Sequence, residues 1–373
     1  MTPDDAVLDM FVELAAIGSP SGKEREVADR VHGFLHDLGL QTDEDEAGRA
    51  IGSDIGNIYC RLPATAEGTP IFLNAHLDTV PPTDGIEPVV EEGVVSNAND
   101  TILGADNKSA VVAMLAAVRD RVRSGEPHAG IELVFTPMEE VGLRGAKHFD
   151  VGRLEAPFGY CYDHAAPIGN IVLAAPSQRS LTLTFRGWPA HSGIAPEHGR
   201  SAIVAAARAI AAMPLGRLDE RTTANVGLIE GGVAGNIVPP LCVVRAEARS
   251  RSAERLSETV QAMLDASAAA ADETGCELEA AVTSEYETYR FGGEEPPVAM
   301  AVAALERCGY TPAFIESGGG ADANVFNAAG KPCLNLCNGM AEIHTSQEHI
   351  TVADLEGMTA VTRALIDLAR SAA

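Results

Sequence analysis

Short apolar runs that stop at charged residues, alternating with helical stretches, constrain this chain more than any other feature. The segments "PIFLNA" (70–75), "IELVFT" (131–136), "FGYCY" (158–162) and "PCLNLC" (332–337) read as strands. Helical patterns lie among them at 107–122 ("NKSAVVAMLAAVRDRV") and near 297–308. Such alternation predicts an α/β layer, a mostly parallel sheet with helices on both faces. Upstream, "SGKEREVADRVHGFLHDLGL" opens with Ser21 and Glu24 in capping-box spacing. It then sets Val27, Val31, Phe34, Leu35 and Leu38 on one helical face, which predicts an ordinary core-facing helix ending near Gly39.

The middle of the chain follows another rule. From about 178 to 286 come a strictly alternating strand (180–185, "SLTLTF"), a helix (199–213), strands at 224–229 and 241–248, a helix (253–274) and a strand at 277–284. The order β-α-β-β-α-β is that of a ferredoxin-like α+β unit, which can bury a core of its own. The expected organisation is therefore a catalytic domain in two parts, 1–177 and 288–373, interrupted by an inserted domain at 178–287. "YETYRFGGEEPP" (286–297) serves as the return linker. Charge follows the same division. Residues 177–290 hold 11 arginines and no lysine against 14 acids, a net of −3, which leaves −23 of the total −26 to the α/β part.

That acidity disfavours binding to nucleic acid or to an anionic membrane surface, whereas clustered carboxylates can hold cations. The first twenty residues lack the basic and apolar regions of a signal peptide, and no apolar run reaches membrane-spanning length, so the cytoplasm is the expected compartment. Seven cysteines without a C-x-x-C pair, most of them inside apolar runs, predict buried free thiols rather than disulfides. Cys333 and Cys337, four apart, belong to a strand on this reading.

In open parallel sheets ligands bind beyond the carboxyl ends of the strands, so the residues after each run matter most. They are His76 and Asp78, Glu139 and Glu140, Asp163 and His164, and His344, with Asp106 at the entrance of the 107–122 helix. Each has an ordinary reading by itself: a strand-end histidine, a helix cap, a solvated charge pair. Their convergence on one rim points to metal. In H-x-D, Asp78 can accept the far N–H of the His76 imidazole. Adjacent glutamates on an extended segment face opposite sides, which suits a general base, Glu139, beside a ligand, Glu140. The ligands His76, Asp106, Glu140, Asp163 and His344 are too many for one open tetrahedral site but enough for two ions if Asp106 bridges them. His76, Asp106 and Asp163 would then serve one ion, and Asp106, Glu140 and His344 the other. Imidazoles and carboxylates without thiolate favour zinc, with cobalt or manganese as alternatives.

The motifs "HLDTVPP", "GADNKSAVVAML", "PMEEVGLRGAK", "YDH", "GWPAHSG", "GGVAGNIVP" and "EIHTSQEHI" resemble, in order, those of the M20 metallopeptidases. An aspartate at 163 and the run "SGGGADANVF" (317–326) are similar to the peptidase T-like, tripeptidase branch. The resemblance implies the same five ligands, Asp78 orienting His76, Glu139 as base, and an inserted domain acting as lid and homodimer surface. It also implies a strained or cis peptide after Asp106. Substrate contacts are expected from His191, Asn236, Arg249 and Gly319, although a turn histidine, a loop cap, a structural ion pair and a flexible loop are the respective ordinary readings. His164, His198 and His349 default to structure, and Glu348 is expected to hydrogen-bond near the site. The implied activity is hydrolysis of short peptides, such as removal of an N-terminal residue from tripeptides. The alternatives are hydrolysis of N-acyl amino acids or other small amides, and a catalytically silent metal-binding scaffold.

Overall fold

The computed structural model describes residues 5–371 and groups them into two compact units. One comprises residues up to Leu173, Arg290–Glu316 and Ala321 onward; the other comprises Ala174–Tyr289 and Ser317–Gly320. The short stretch 317–320, placed by the sequence reading in the second catalytic segment, thus groups with the central part of the chain.

The first unit is built on a sheet of nine strands among the described residues. Its middle consists of Ile131–Thr136, Ile71–His76, Phe158–Cys161 and Cys333–Leu336, side by side and parallel. Every residue of these four strands is buried, which is why they read as continuous apolar runs rather than as alternation. Each Leu, Ile or Val buried there contributes about 1.5–3 kcal/mol of hydrophobic stabilisation. The flanks turn antiparallel: Ile58–Leu62 beside Ile131–Thr136, and Asn170–Ala175 beside Cys333–Leu336. The fold class is therefore mixed α/β with a mainly parallel central sheet.

The helix Ala105–Ser124 packs on the strand Ile71–His76 and on the helices Asp5–Ala15 and Val352–Ser371. Its residues from Ala105 to Arg119 are buried around the whole circumference, as expected of a helix enclosed by a sheet and other helices. It stops at Gly125, whose left-handed φ of 64° closes the last turn. At the other end Asp106 and Asn107 depart from helical geometry, and the peptide bond between them is cis.

The expected helix near 21–39 forms as Arg25–Asp37, burying Val27, Ala28, Val31 and Leu35. The capping box does not form. The Ser21 hydroxyl donates to Asp78 Oδ2 at 2.6 Å, and Glu24 turns inward to accept from the backbone N–H groups of Gly22 and Met138 and from the Ser53 hydroxyl. A buried carboxylate gains more from three fixed donors than from one helix-end N–H.

The second unit has an antiparallel sheet ordered Gly216–Asp219, Thr222–Gly231, Leu241–Ser250, Ser177–Arg186, Glu277–Tyr286. Helices Ala202–Ala212 and Ala253–Thr274 pack on it and on each other. Leaving aside the short first strand, the order is the ferredoxin-like one. The core is continuous from Leu181, Leu183 and Phe185 through Ala205 and Ala209 to Val244 and Met263. Inward residues alternate along Ser177–Arg186, the period-2 pattern of a sheet with one covered face.

Candidate metal centre

Each of the four parallel strands leads to a polar group at or beyond its carboxyl end, and in the first unit these groups meet. His76 is the last residue of its strand, and its Nε2 lies 3.1 Å from Asp106 Oδ1 and 3.9 Å from Asp163 Oδ1. His344 Nε2 lies 3.0 Å from Glu140 Oε1 and 3.5 Å from the other oxygen of Asp106, Oδ2. The two Asp106 oxygens therefore face two different histidines. Atoms of His76, Asp106 and Glu140 come within 4.8 Å of one another, and so do atoms of His76, Glu139 and Asp163. Glu139 thus lies among the prospective ligands rather than apart from them.

Backbone clamps hold these groups in place. Asp78 Oδ1 accepts the Glu139 N–H at 2.8 Å, and its Oδ2 accepts the Glu140 N–H at 3.1 Å. The sequence reading had this carboxylate accepting from His76. Instead, the Asp78 backbone carbonyl is the closer partner of His76 Nδ1 at 2.8 Å, with the carboxylate at 3.5 Å. The carboxylate is occupied by the two glutamate N–H groups and by Ser21. Nor do the glutamates sit on an extended segment. Met138 takes a left-handed φ of 55°, and the carbonyl of Glu139 accepts from Gly142 and Leu143, so the pair occupies a tight turn. Gly145 lets that turn close, since a Cβ there would stand 2.4 Å from the Pro137 carbonyl oxygen.

Asp163 is fixed by Asn335 on the neighbouring strand, which accepts its N–H at 2.9 Å and donates to its carbonyl at 2.8 Å. Asp322, buried beside the centre, accepts from Thr136 Oγ1 at 2.5 Å and from Asn74 Nδ2 at 3.3 Å. Sequence reasoning missed Ser21, Glu24, Asn335 and Asp322. Asn335 interrupts an apolar run and Asp322 lies within the glycine-rich motif; an isolated polar residue in a buried strand was the available signal.

The electrostatics fit a cationic group. Burial, then the neighbouring Asp163 carboxylate, pushes Glu139 well above the usual glutamate range. Burial, then Asp106, does the same to Asp163. Burial would hold the His76 imidazole down, but the hydrogen bond to Asp106 and the nearby Asp78 carboxylate outweigh it and raise its pKa. The carboxylates of Asp106 and Glu140 lift His344 to about 10. A cluster this rich in buried acids has more negative charge than its two imidazoles can balance, and metal cations would supply what is missing. His76, Asp106, Glu140, Asp163 and His344 could hold them.

The other expected contacts lie in the second unit. His191 and Ile237 form a backbone bridge, the Asn236 carbonyl accepts the Ser192 N–H, and the side chains of His191 and Asn236 are exposed. Arg249 is paired with Glu247 through Nε at 3.1 Å and Nη2 at 3.0 Å. The Gly319 N–H donates to the Ser317 hydroxyl oxygen.

Metal ligation requires deprotonated groups. With His344 protonated at neutral pH in the metal-free protein, and Glu139 and Asp163 raised, ion binding near pH 7.5 is expected to release about one proton or more per chain. Titration calorimetry in buffers of different ionisation enthalpy measures this directly. Heats independent of the buffer would contradict the protonation pattern.

Comparison with known proteins agrees with this geometry. Residues 72–368 match the model of peptidase family M20/M25/M40. The chain is 37% identical to the uncharacterised protein YqjE of Bacillus subtilis, over 98% of this chain and 99% of that protein. It is similar to the crystal structure of aminopeptidase PepT from Bacillus cereus, with 39% identity, a TM-score of 0.87 and 98% of each chain covered. It is also similar to that of a tripeptidase from Staphylococcus aureus, with 34% identity, a TM-score of 0.93 and 99% of each chain covered. The chain belongs to peptidase family M20/M25/M40 and is a metal-dependent peptidase of that family.

Proposed function

We propose that this protein is a dinuclear aminopeptidase acting on tripeptides, using zinc or, failing that, cobalt or manganese. The observation that carries the dinuclear reading is the placement of Asp106, with Oδ1 toward His76 and Oδ2 toward His344. A carboxylate so placed can be shared between an ion held by His76 and Asp163 and an ion held by Glu140 and His344. The substrate class is supported by the aminopeptidase and tripeptidase among the similar structures.

Two such ions, when bound, lower the pKa of a shared water and polarise the scissile carbonyl. The chain supplies the rest. Glu139, buried and fixed through its N–H by Asp78, takes the proton of the attacking water and returns it to the leaving amine. Asp78 keeps Glu139 and Glu140 in register, one as base and the other as ligand. Among the residues of the second unit, we assign substrate contacts to His191, Asn236, Arg249 and Gly319, with His191 as a donor to the developing oxyanion.

We also propose that residues 178–287 form a lid and homodimer surface. Leu228, Ile229 and Val233 are at least half exposed, and Leu241, opposite Gly232 in the paired segment, is exposed too. An apolar strip of this kind suits burial against a second copy. Seven free cysteines suit a reducing cytoplasm, and among the described residues no helix is long and apolar enough to cross a membrane.

Hydrolysis of tripeptides, dipeptides and N-acetyl amino acids by metal-loaded wild type and Glu139→Ala tests the assignment. The expected result is tripeptide cleavage that falls by about 10²–10⁴-fold in the variant, with about two metals still bound per chain. Preference for N-acetyl substrates would move the protein to small-amide hydrolysis, and metal binding without turnover of any substrate would favour a silent scaffold. For the dimer, light scattering should give about twice the 38.9 kDa of one chain, and a mass near 38.9 kDa would rule it out.

A further inference from the structure

Four residues beyond His344, the side chain of Glu348 leaves its exposed loop and becomes 2% exposed. Its Oε2 accepts the backbone N–H groups of Leu103 at 2.9 Å and Gly104 at 2.7 Å, and its Oε1 accepts that of Asp106 at 2.8 Å. Three N–H donors converging on one carboxylate form an anion-binding nest. The left-handed φ of 80° at Gly104 turns its N–H to the same point as that of Leu103. One side chain thus joins the segment carrying Asp106 to the loop carrying His344.

That loop needs an anchor. His344 is about half exposed at its side chain and holds a left-handed φ of 63°, a conformation that a non-glycine residue keeps only when its surroundings impose it. Several other hydrogen bonds of residues 341–349 stay inside the loop: Ala341 with His349, Thr345 with Glu342, Gln347 with Thr345. The remaining prospective ligands are fixed otherwise. His76 ends a buried strand, Asp163 is clamped by Asn335, and Glu140 is clamped by Asp78.

We infer that Glu348 is a positioning residue for the ion held by Asp106, Glu140 and His344, keeping His344 at a fixed distance from Asp106 so that this second position fills. The inference rests on the dinuclear reading above. Glu348 touches no substrate and no reacting atom; it acts through the backbone of Asp106 and through its own loop. Glutamine at 348 would offer one acceptor oxygen in place of two and turn an N–H₂ toward an N–H, so at least one of the three bonds is lost.

The test is zinc titration of metal-free wild type, Glu348→Gln and Glu348→Asp, followed by calorimetry and by metal analysis after gel filtration, with thermal unfolding of each protein before and after zinc. Wild type should bind about two ions. In Glu348→Gln the weaker position should lose about 10–100-fold in affinity, the range for partners that orient ligands, while the tighter one changes much less. Excess zinc should restore kcat with KM unchanged, and Glu348→Asp should fall between the two. Two positions of unchanged affinity in Glu348→Gln, or equal weakening of both, would overturn the inference, as would a lower unfolding temperature of the metal-free variant with normal zinc binding. Wild type that binds only one ion would instead remove the dinuclear reading beneath it.

Discussion

Buried negative charge is the constraint on which the rest of the centre depends. Asp78, Asp106, Glu139, Asp163 and Asp322 are buried or nearly so around two imidazoles, with Glu140 and Glu348 beside them. Each carboxylate removed from water costs several kcal/mol unless it is paired or hydrogen-bonded. The chain meets that cost in two ways. Some acids are satisfied by backbone N–H groups and hydroxyls, as Asp78 and Glu348 are. Others, Glu139 and Asp163 above all, are raised well above the carboxylate range by burial and by neighbouring carboxylates, more than the nearby His76 offsets. The first group builds the frame, and the second is what bound metal ions would complete.

The frame follows from the sheet. Four parallel strands end together, so His76, Glu139, Glu140 and Asp163, at or within four residues of their ends, share one rim, to which longer connections bring Asp106 and His344. The turns that carry the ligands are irregular, with left-handed Met138, Leu143, Glu342 and His344. Such backbone persists because carboxylates and amides from adjacent segments tie it down: Glu24 to Met138, Asp78 to Glu139 and Glu140, Asn335 to Asp163. Rigidity at the ligands is thus inherited from polar side chains that themselves bind nothing.

The strands and helices of both units were largely legible because burial leaves a trace in the sequence, periodic where one face is covered and a continuous apolar run where both are. "IELVFT" is a strand over the same six residues, and the helix 253–274 forms as Ala253–Thr274. The prospective ligands were legible because they follow strand ends. What escaped was the partner of each polar side chain. Ser21 and Glu24 have the spacing of a cap, yet their bonds go to residues 57 and 114 positions away, and local spacing says nothing about such distances. Asp78 stands where H-x-D reasoning puts it, but its carboxylate serves the next strand's turn rather than the imidazole. Asn335 sits in an apolar run, and only the register of the neighbouring strand shows that it faces Asp163.

In the function proposed above, Asp106 would be shared between two ions. The most direct measurement is anomalous X-ray diffraction from zinc-loaded crystals at the metal edge. Two peaks about 3.5–4 Å apart are expected, with one Asp106 oxygen on each. A single peak, or two peaks of which only one touches Asp106, would contradict it.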